Sequence, residues 1–402
     1  MKLALRLFVV ALLVPQGLLA SEPKQATGES LFDKLTLSTD GAQRSVPYPF
    51  PRLLDQIRER AGFDTDADPL AEILIPRGRS LQREAASPDY YRFPRVVIAL
   101  DRESDTDLPV KNRLFLGYQE RANTIEIISY SETAGRFEFQ EVDDYSADSV
   151  PRVYPASREL CTSCHQNGAT IFARPLWRES NFNRDVSAKI AAHHDTYLGI
   201  GVSPEHADAD RVDFATDQAG LLQAYQNVWQ LGCPDDSCRA DLFLASVLRA
   251  IESESRDIYR WTHRERELLE VLRPSWQKQW PDGLPVASAD IPDIAAADNL
   301  DNLPAELSPL EPRPPLAHWS AQTAVLRALE GIADQFLPDQ ALNHLQQEIS
   351  AGEIDEIRIE NALRNLRQDP DQSSLFKATP IDGVSLIPIR ALISLISRSR
   401  FF

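Results

Sequence analysis

The sequence is poorest in methionine, since Met1 is the only one among 402 residues. A thioether side chain therefore cannot act as a ligand or as a flexible core filler beyond the first residue. Positive charge is also scarce, with 42 Lys and Arg against 60 Asp and Glu and a formal charge of −18 at pH 7. Because such a surface repels phosphate backbones, it excludes nucleic acid as a partner and favours a cationic protein.

Long apolar runs are missing after the N-terminus. No stretch reaches the roughly 18 apolar residues that a membrane-spanning helix needs, which predicts no membrane span in the mature chain. The first residues differ, because Lys2 and Arg6 precede an apolar run over 7–14, and small Ala20 follows it. This pattern predicts a signal peptide over 1–20 and an exported, periplasmic protein.

Short strand patterns occupy the region from about residue 92 to 143. The β-branched and aromatic runs FPRVVIAL, RLFLGYQE, TIEIISYS and RFEFQEV alternate there with turn residues. This spacing predicts an antiparallel β-meander of four strands within an N-terminal region at 21–150. Earlier in that region, the spacing of Leu53, Leu54 and Ile57 predicts a short helix.

From Ser157 onward, apolar residues recur at the spacing of a helix. Helices are predicted from Thr216 or Asp217 to Trp229, over 240–252 and over 262–272, where Pro274 closes the last one. They form a mostly helical domain at 151–280, followed by a proline-rich acidic linker at 281–317 and a helical C-terminal region at 318–402. The predicted fold class is α+β.

Four cysteines fall in two pairs, and the first pair lies in the sequence Cys161-Thr162-Ser163-Cys164-His165. This spacing is typical of covalent haem attachment, because two thiols one helical turn apart meet the two vinyl groups of a haem. The histidine that follows can then ligate the iron. A thioredoxin-like redox pair would need a βαβ context, and a zinc site would need a second ligand pair at suitable spacing. The motif predicts one covalent haem c.

The second pair, Cys233 and Cys238, is followed by Arg239 and not by His, so it cannot attach another haem. Its loop joins two predicted helices, and the predicted compartment is oxidising. A disulfide between Cys233 and Cys238 is therefore expected.

The residues around CTSCH resemble the small helical cytochromes c over about residues 157–280. The resemblance implies that Cys161 and Cys164 form the thioether bonds and that His165 is the proximal iron ligand. It also implies that Pro175, ten residues later, lends its carbonyl to the other ring nitrogen of His165. With the segments IPRGRSLQR, RLFLGYQE, GRFEFQEVDDY and IFARPLW, the chain also resembles a group of exported bacterial haem proteins with no assigned activity, which carry a β-region before the haem region.

The distal iron ligand departs from the cytochrome c pattern, because the electron carriers of that family use a methionine there. The remaining choices are a histidine, another side chain or an open position. His193, His194 and His206 follow the motif at a distance that lets the chain return over the other haem face, so they are the distal candidates.

Two functions follow from that choice. A six-coordinate iron would make the protein an electron-transfer cytochrome that serves a cationic redox partner protein. A five-coordinate iron would make it an enzyme or sensor for peroxide, nitrogen oxides or gas ligands. In that second case Phe137 and Phe139 could cap the open haem face, although their alternation more strongly predicts strand residues that pack a core.

Overall fold

The computed structural model describes residues 30–37, 44–63, 68–78, 80–104, 108–132, 134–165, 179–252, 261–286 and 317–336, together with positions 347 and 351. The predicted signal peptide at 1–20 lies outside the described residues. So does most of the chain after residue 336.

A six-stranded antiparallel sheet is the centre of the fold, and its strands follow one another in chain order. The strands are β1 (Leu70–Ile75), β2 (Arg95–Leu100), β3 (Leu114–Gln119), β4 (Thr124–Ser131), β5 (Arg136–Asp143) and β6 (Arg152–Pro155). The four predicted strands are β2 to β5, which confirms the meander. The sheet also extends one strand further on each side.

Eight helices are described: α1 (Leu31–Thr36), α2 (Phe50–Arg60), α3 (Arg158–Cys164), α4 (Arg184–Ala191), α5 (Ala209–Asn227), α6 (Asp236–Glu252), α7 (His263–Gln279) and α8 (Ala321–Phe336). A π-helical turn at Val228–Gly232 extends α5. Together with the sheet, these helices confirm the α+β class.

Both faces of the sheet are buried. Strand alternation sends Phe115 of β3 to one face and its neighbour Leu116 to the other. The first face packs against α5 to α8 in one apolar cluster, here called the helix-side core. The other face packs against α1, α2 and α4 in a second cluster, the α2-side core.

Two helix ends differ from the sequence-based expectation. Helix α5 begins at Ala209 and not at Thr216 or Asp217. Helix α7 continues through Pro274, although proline removes one backbone hydrogen bond. Tertiary contacts compensate for that loss: Trp276 is buried against the core, and the hydroxyl of Ser275 donates to the carbonyls of Leu272 and Gly232.

Paired strands lie at or next to two of the predicted region boundaries. The boundary between residues 150 and 151 lies between β5 and β6 of the same sheet. The ends of the predicted linker form an antiparallel pair, in which β9 (Leu284–Val286) joins β10 (Ala317–Trp319). The residues between these strands, 287–316, lie outside the described part of the chain. A smaller pair, β7 (Thr196–Tyr197) and β8 (Ile200–Gly201), follows α4.

Candidate haem-attachment site

The CTSCH motif forms the last turn of α3. Ser157 caps this helix by accepting a hydrogen bond from the Leu160 amide, and the hydroxyl of Thr162 donates to the Arg158 carbonyl at 2.8 Å. His165 ends the helix, and its amide donates to the Cys161 carbonyl at 2.9 Å. Positions 161 and 164 are therefore one helical turn apart, as the attachment chemistry requires.

Cys161 and His165 both meet the helix-side core. Cys161 is half-buried and packs against that cluster. The imidazole of His165 contacts the ring of Phe139 on β5, with ring centroids 5.4 Å apart and planes inclined by 41°. Phe139 is only 2% exposed, so the imidazole contacts the apolar interior of the protein.

The start of α3 is fixed to the edge of the sheet. Strand β6 pairs with Gln140–Asp143 of β5, and α3 then packs beside the earlier residues of that strand. There the Arg158 guanidinium donates to the Phe137 carbonyl at 2.9 Å and lies 5.5 Å from the centre of the Phe139 ring. The chain thus runs directly from the edge strand into the motif helix.

A buried carboxylate supports this attachment. Glu138 is 1% exposed and lies between two guanidinium groups, 2.7 Å from Arg136 and 3.6 Å from Arg158. A buried charge of this kind is tolerated only when it is paired. Arg158 is therefore held by the sheet through its charge and through its hydrogen bond.

Polar side chains follow Phe139 on the same face of the sheet. Burial raises the pKa of Glu141, and the neighbouring carboxylate of Glu126 on β4 raises it further. The Tyr154 hydroxyl donates to Glu141 at 2.9 Å, which partly offsets the rise. Glu126 in turn pairs with Arg95. This end of the sheet therefore carries a network of hydrogen bonds and an ion pair.

The three distal candidates have other contacts in the described structure. His193 and His194 follow α4, whose Ile190 belongs to the α2-side core, and a ring nitrogen of His194 lies 2.7 Å from the Arg92 carbonyl. His206 is bound at Nδ1 to the Ser203 hydroxyl at 2.7 Å.

The backbone around the three histidines is also fixed by contacts. The amide of Asp208 donates to the Glu72 carbonyl, and the amide of Asn181 donates to the Leu74 carbonyl, both on β1. The segment that carries the three histidines is therefore anchored at the β1 edge. With strands about 4.8 Å apart, β1 and β5 are separated by about 19 Å. The assignment of a distal ligand to one of these three histidines therefore stays a prediction.

The remaining sequence-predicted residues divide into two groups. Pro175 lies outside the described residues. Cys233 and Cys238 lie at disulfide distance, are buried and connect the π-helical turn to α6, which agrees with the predicted pairing. Here the amide of Cys238 donates to the Asp235 carboxylate at 2.9 Å.

The sequence did not indicate the contacts that Arg158 and Glu138 make. Phe139 packs in the helix-side core, as strand alternation predicts, and its ring also contacts the His165 imidazole. Phe137 is fully buried in the helix-side core, as strand alternation predicts. The only sequence signal for Arg158 was its place one turn before Cys161.

Comparison with family models, with curated proteins and with solved structures finds no match to this chain. The resemblance to cytochromes c therefore stays a prediction based on the motif. Among the helices that the structure describes, none has the length and hydropathy required for a membrane crossing. Within the same residues, no group of three or more His, Cys, Asp or Glu side chains could hold a metal ion by itself.

Proposed function

We propose that this protein is an exported, periplasmic monohaem c-type cytochrome that transfers electrons. The observation that carries the proposal is the placement of CTSCH on one helical turn, with the His165 imidazole in contact with the buried Phe139 ring. Disulfide-distance Cys233 and Cys238 are compatible with an oxidising compartment.

The residues present have the chemistry that a haem c needs. Cys161 and Cys164 would form the thioether bonds, and His165 would be the proximal ligand. When bound, the haem supplies an iron that changes oxidation state. The chain contributes a short helix fixed to a sheet and a buried aromatic ring in contact with the imidazole. The net charge of −18 favours a cationic redox partner protein.

The test is expression with the cytochrome c maturation system, followed by intact-mass measurement and the alkaline pyridine spectrum. The proposal expects one covalent haem in the wild-type protein and none in the Cys161→Ala/Cys164→Ala variant. The matched control, Cys233→Ala/Cys238→Ala, removes the same number of thiols and should keep the haem. A folded wild-type protein without covalent haem would refute the proposal.

A second function is favoured by the position of the histidines. Met1 is the only methionine, and the described side-chain hydrogen bonds of His194 and His206 are to the Arg92 carbonyl and the Ser203 hydroxyl. This arrangement favours an open sixth coordination position and hence a haem enzyme or sensor for peroxide, nitrogen oxides or gas ligands. Visible spectra with and without carbon monoxide separate the two functions. A low-spin ferrous spectrum that carbon monoxide leaves unchanged supports electron transfer, whereas a high-spin spectrum that shifts supports ligand chemistry.

A further inference from the structure

The ring of Phe139 contacts two side chains, one at each end of the motif helix α3. The Arg158 guanidinium is 5.5 Å from the ring centre, and the His165 imidazole centroid is 5.4 Å from it. We infer that Phe139, supported by Arg158, is a positioning residue that fixes the orientation of the His165 imidazole. The inference rests on the proposed function, because it concerns His165 as the iron ligand.

The Phe139 ring is itself held rigidly. Its backbone is in the centre of β5, opposite Ile128 of β4, and its carbonyl accepts a hydrogen bond from the Ala156 amide at 3.0 Å. The side chain is 2% exposed and packed within the helix-side core. The Phe139 ring therefore offers a fixed surface to the side chains of His165 and Arg158.

The motif helix needs that support. Helix α3 has seven residues, about two turns, which is too short to be stable without tertiary contacts. Its first residue is Arg158, which binds the Phe137 carbonyl and the Glu138 carboxylate. The last turn of α3 carries the CTSCH motif, and His165 is the C-terminal cap of the helix. The sheet therefore holds the helix at both ends, and Phe139 is common to the two contacts.

The orientation and surroundings of an axial imidazole set the properties of the iron. Groups packed against a ligating histidine fix its ring plane, and an apolar shell limits access of water to the site. Both effects change the reduction potential of a haem. Replacing Phe139 with leucine should loosen the imidazole and admit water, which stabilises the more highly charged ferric state. The midpoint potential should then fall.

Phe137 offers a matched control on the same strand. It is two residues earlier, on the same face of β5, and 0% exposed. Its ring contacts are with Tyr130, at 5.1 Å between centroids, and with Phe115, at 6.4 Å. Phe137→Leu and Phe139→Leu therefore remove equally buried rings from one core, but only Phe139 contacts His165.

The experiment compares the haem-loaded wild-type protein with Phe137→Leu, Phe139→Leu and Arg158→Lys. Midpoint potential, the ferric electron paramagnetic resonance spectrum and the urea unfolding midpoint are measured for each. We expect both leucine variants to lose stability to a similar extent. Only Phe139→Leu should lower the potential and broaden the ferric signal. Arg158→Lys, which keeps the charge but loses the planar group over the ring, should shift both haem readouts in the same direction and less far.

Equal haem readouts in the two leucine variants would overturn the inference, whether both shift or neither does. If Phe139→Leu does not fold, Arg158→Lys decides: a shifted potential supports the inference and a wild-type potential overturns it. A wild-type protein without covalent haem refutes the proposed function itself. A haem-loaded wild type with indistinguishable leucine variants refutes only the role of Phe139.

Discussion

Both faces of the sheet are buried in apolar clusters, but the two clusters contain different parts of the chain. The helix-side core includes Phe139, whose ring contacts His165 of the CTSCH motif. The α2-side core includes Ile190 of α4, the helix that leads to His193 and His194. His165 and the pair His193 and His194 thus follow elements that pack on opposite faces of the sheet. The comparison shows that order in the sequence is a poor guide to which histidine could share a haem with His165.

The largest effects are expected from core truncations on either face. Phe50 on α2 stacks on Tyr118 with centroids 4.7 Å apart, and Phe243 on α6 meets Trp229 edge-on at 6.3 Å. Both phenylalanines are 0% exposed. Phe50→Ala and Phe243→Ala should each lower the free energy of unfolding by about 3–5 kcal/mol, because each leaves a cavity in a dry core. Urea unfolding followed by circular dichroism measures both.

This pair also tests whether the faces unfold together. Because they share one sheet, a single transition is expected in both variants. Two separate transitions, with each variant moving only one, would show that the two cores are independent units. That outcome would support the predicted boundary near residue 150.

A smaller, pH-dependent effect is expected at the β1 edge of the α2-side face. Burial raises the pKa of Glu72 to about 7, with Asp68 and Asp208 adding to the rise and Arg58 opposing it. The folded state therefore binds a proton more tightly than the unfolded state. This favourable contribution is complete below the unfolded pKa, near 4.5, and is lost as the pH rises through about 7.

The change amounts to roughly 2–3 kcal/mol between pH 4.5 and 8. Glu72→Gln should remove that part of the pH dependence, as measured by urea midpoints across the range. The control is Glu59→Gln, an exposed carboxylate on α2, which should leave the dependence as in the wild type. Parallel curves for the wild type and Glu72→Gln would contradict the prediction.

The smallest effects are expected from the histidines. Single changes of His193, His194 and His206 to alanine should leave the spin state of the haem-loaded protein unchanged, because the described contacts of these side chains are with other groups. His194→Ala should cost about 1 kcal/mol of stability, the value of its hydrogen bond to the Arg92 carbonyl. If any variant converts a low-spin haem into a high-spin haem that binds carbon monoxide, that histidine is the distal ligand.

Much of the fold could be predicted because its periodicity is strong. Helix α2 and strands β2 to β5 carry regular apolar patterns between clear turn signals. Strand β1 was missed because LAEILI is apolar on both faces, with Glu72 as its only charged residue, so it shows no alternation. Strand β6 was missed because it has only four residues at the edge of the sheet.

The sequence predicts the candidate site only where the residues of the site are contiguous in the chain. CTSCH is contiguous, so the sequence alone predicts that its two cysteines and its histidine lie within about one helical turn. The contacts among Glu138, Phe139 and Arg158 depend on how α3 leaves β6 and folds back over β5. Strand pairing sets that path. The spacing of residues within CTSCH does not predict how the strands pair.

The pairing of Leu284–Val286 with Ala317–Trp319 has a consequence for cleavage of the chain. Both ends of the segment 287–316 are joined by this ladder, and Leu284 and Trp319 are both part of the helix-side core. After the ladder, α8 packs against α6 through buried Ala324, Val325 and Leu329. A protease cut within 287–316 would therefore leave two fragments that stay associated without a peptide bond. Such a nicked protein would run as one species on a native gel and as two in denaturant.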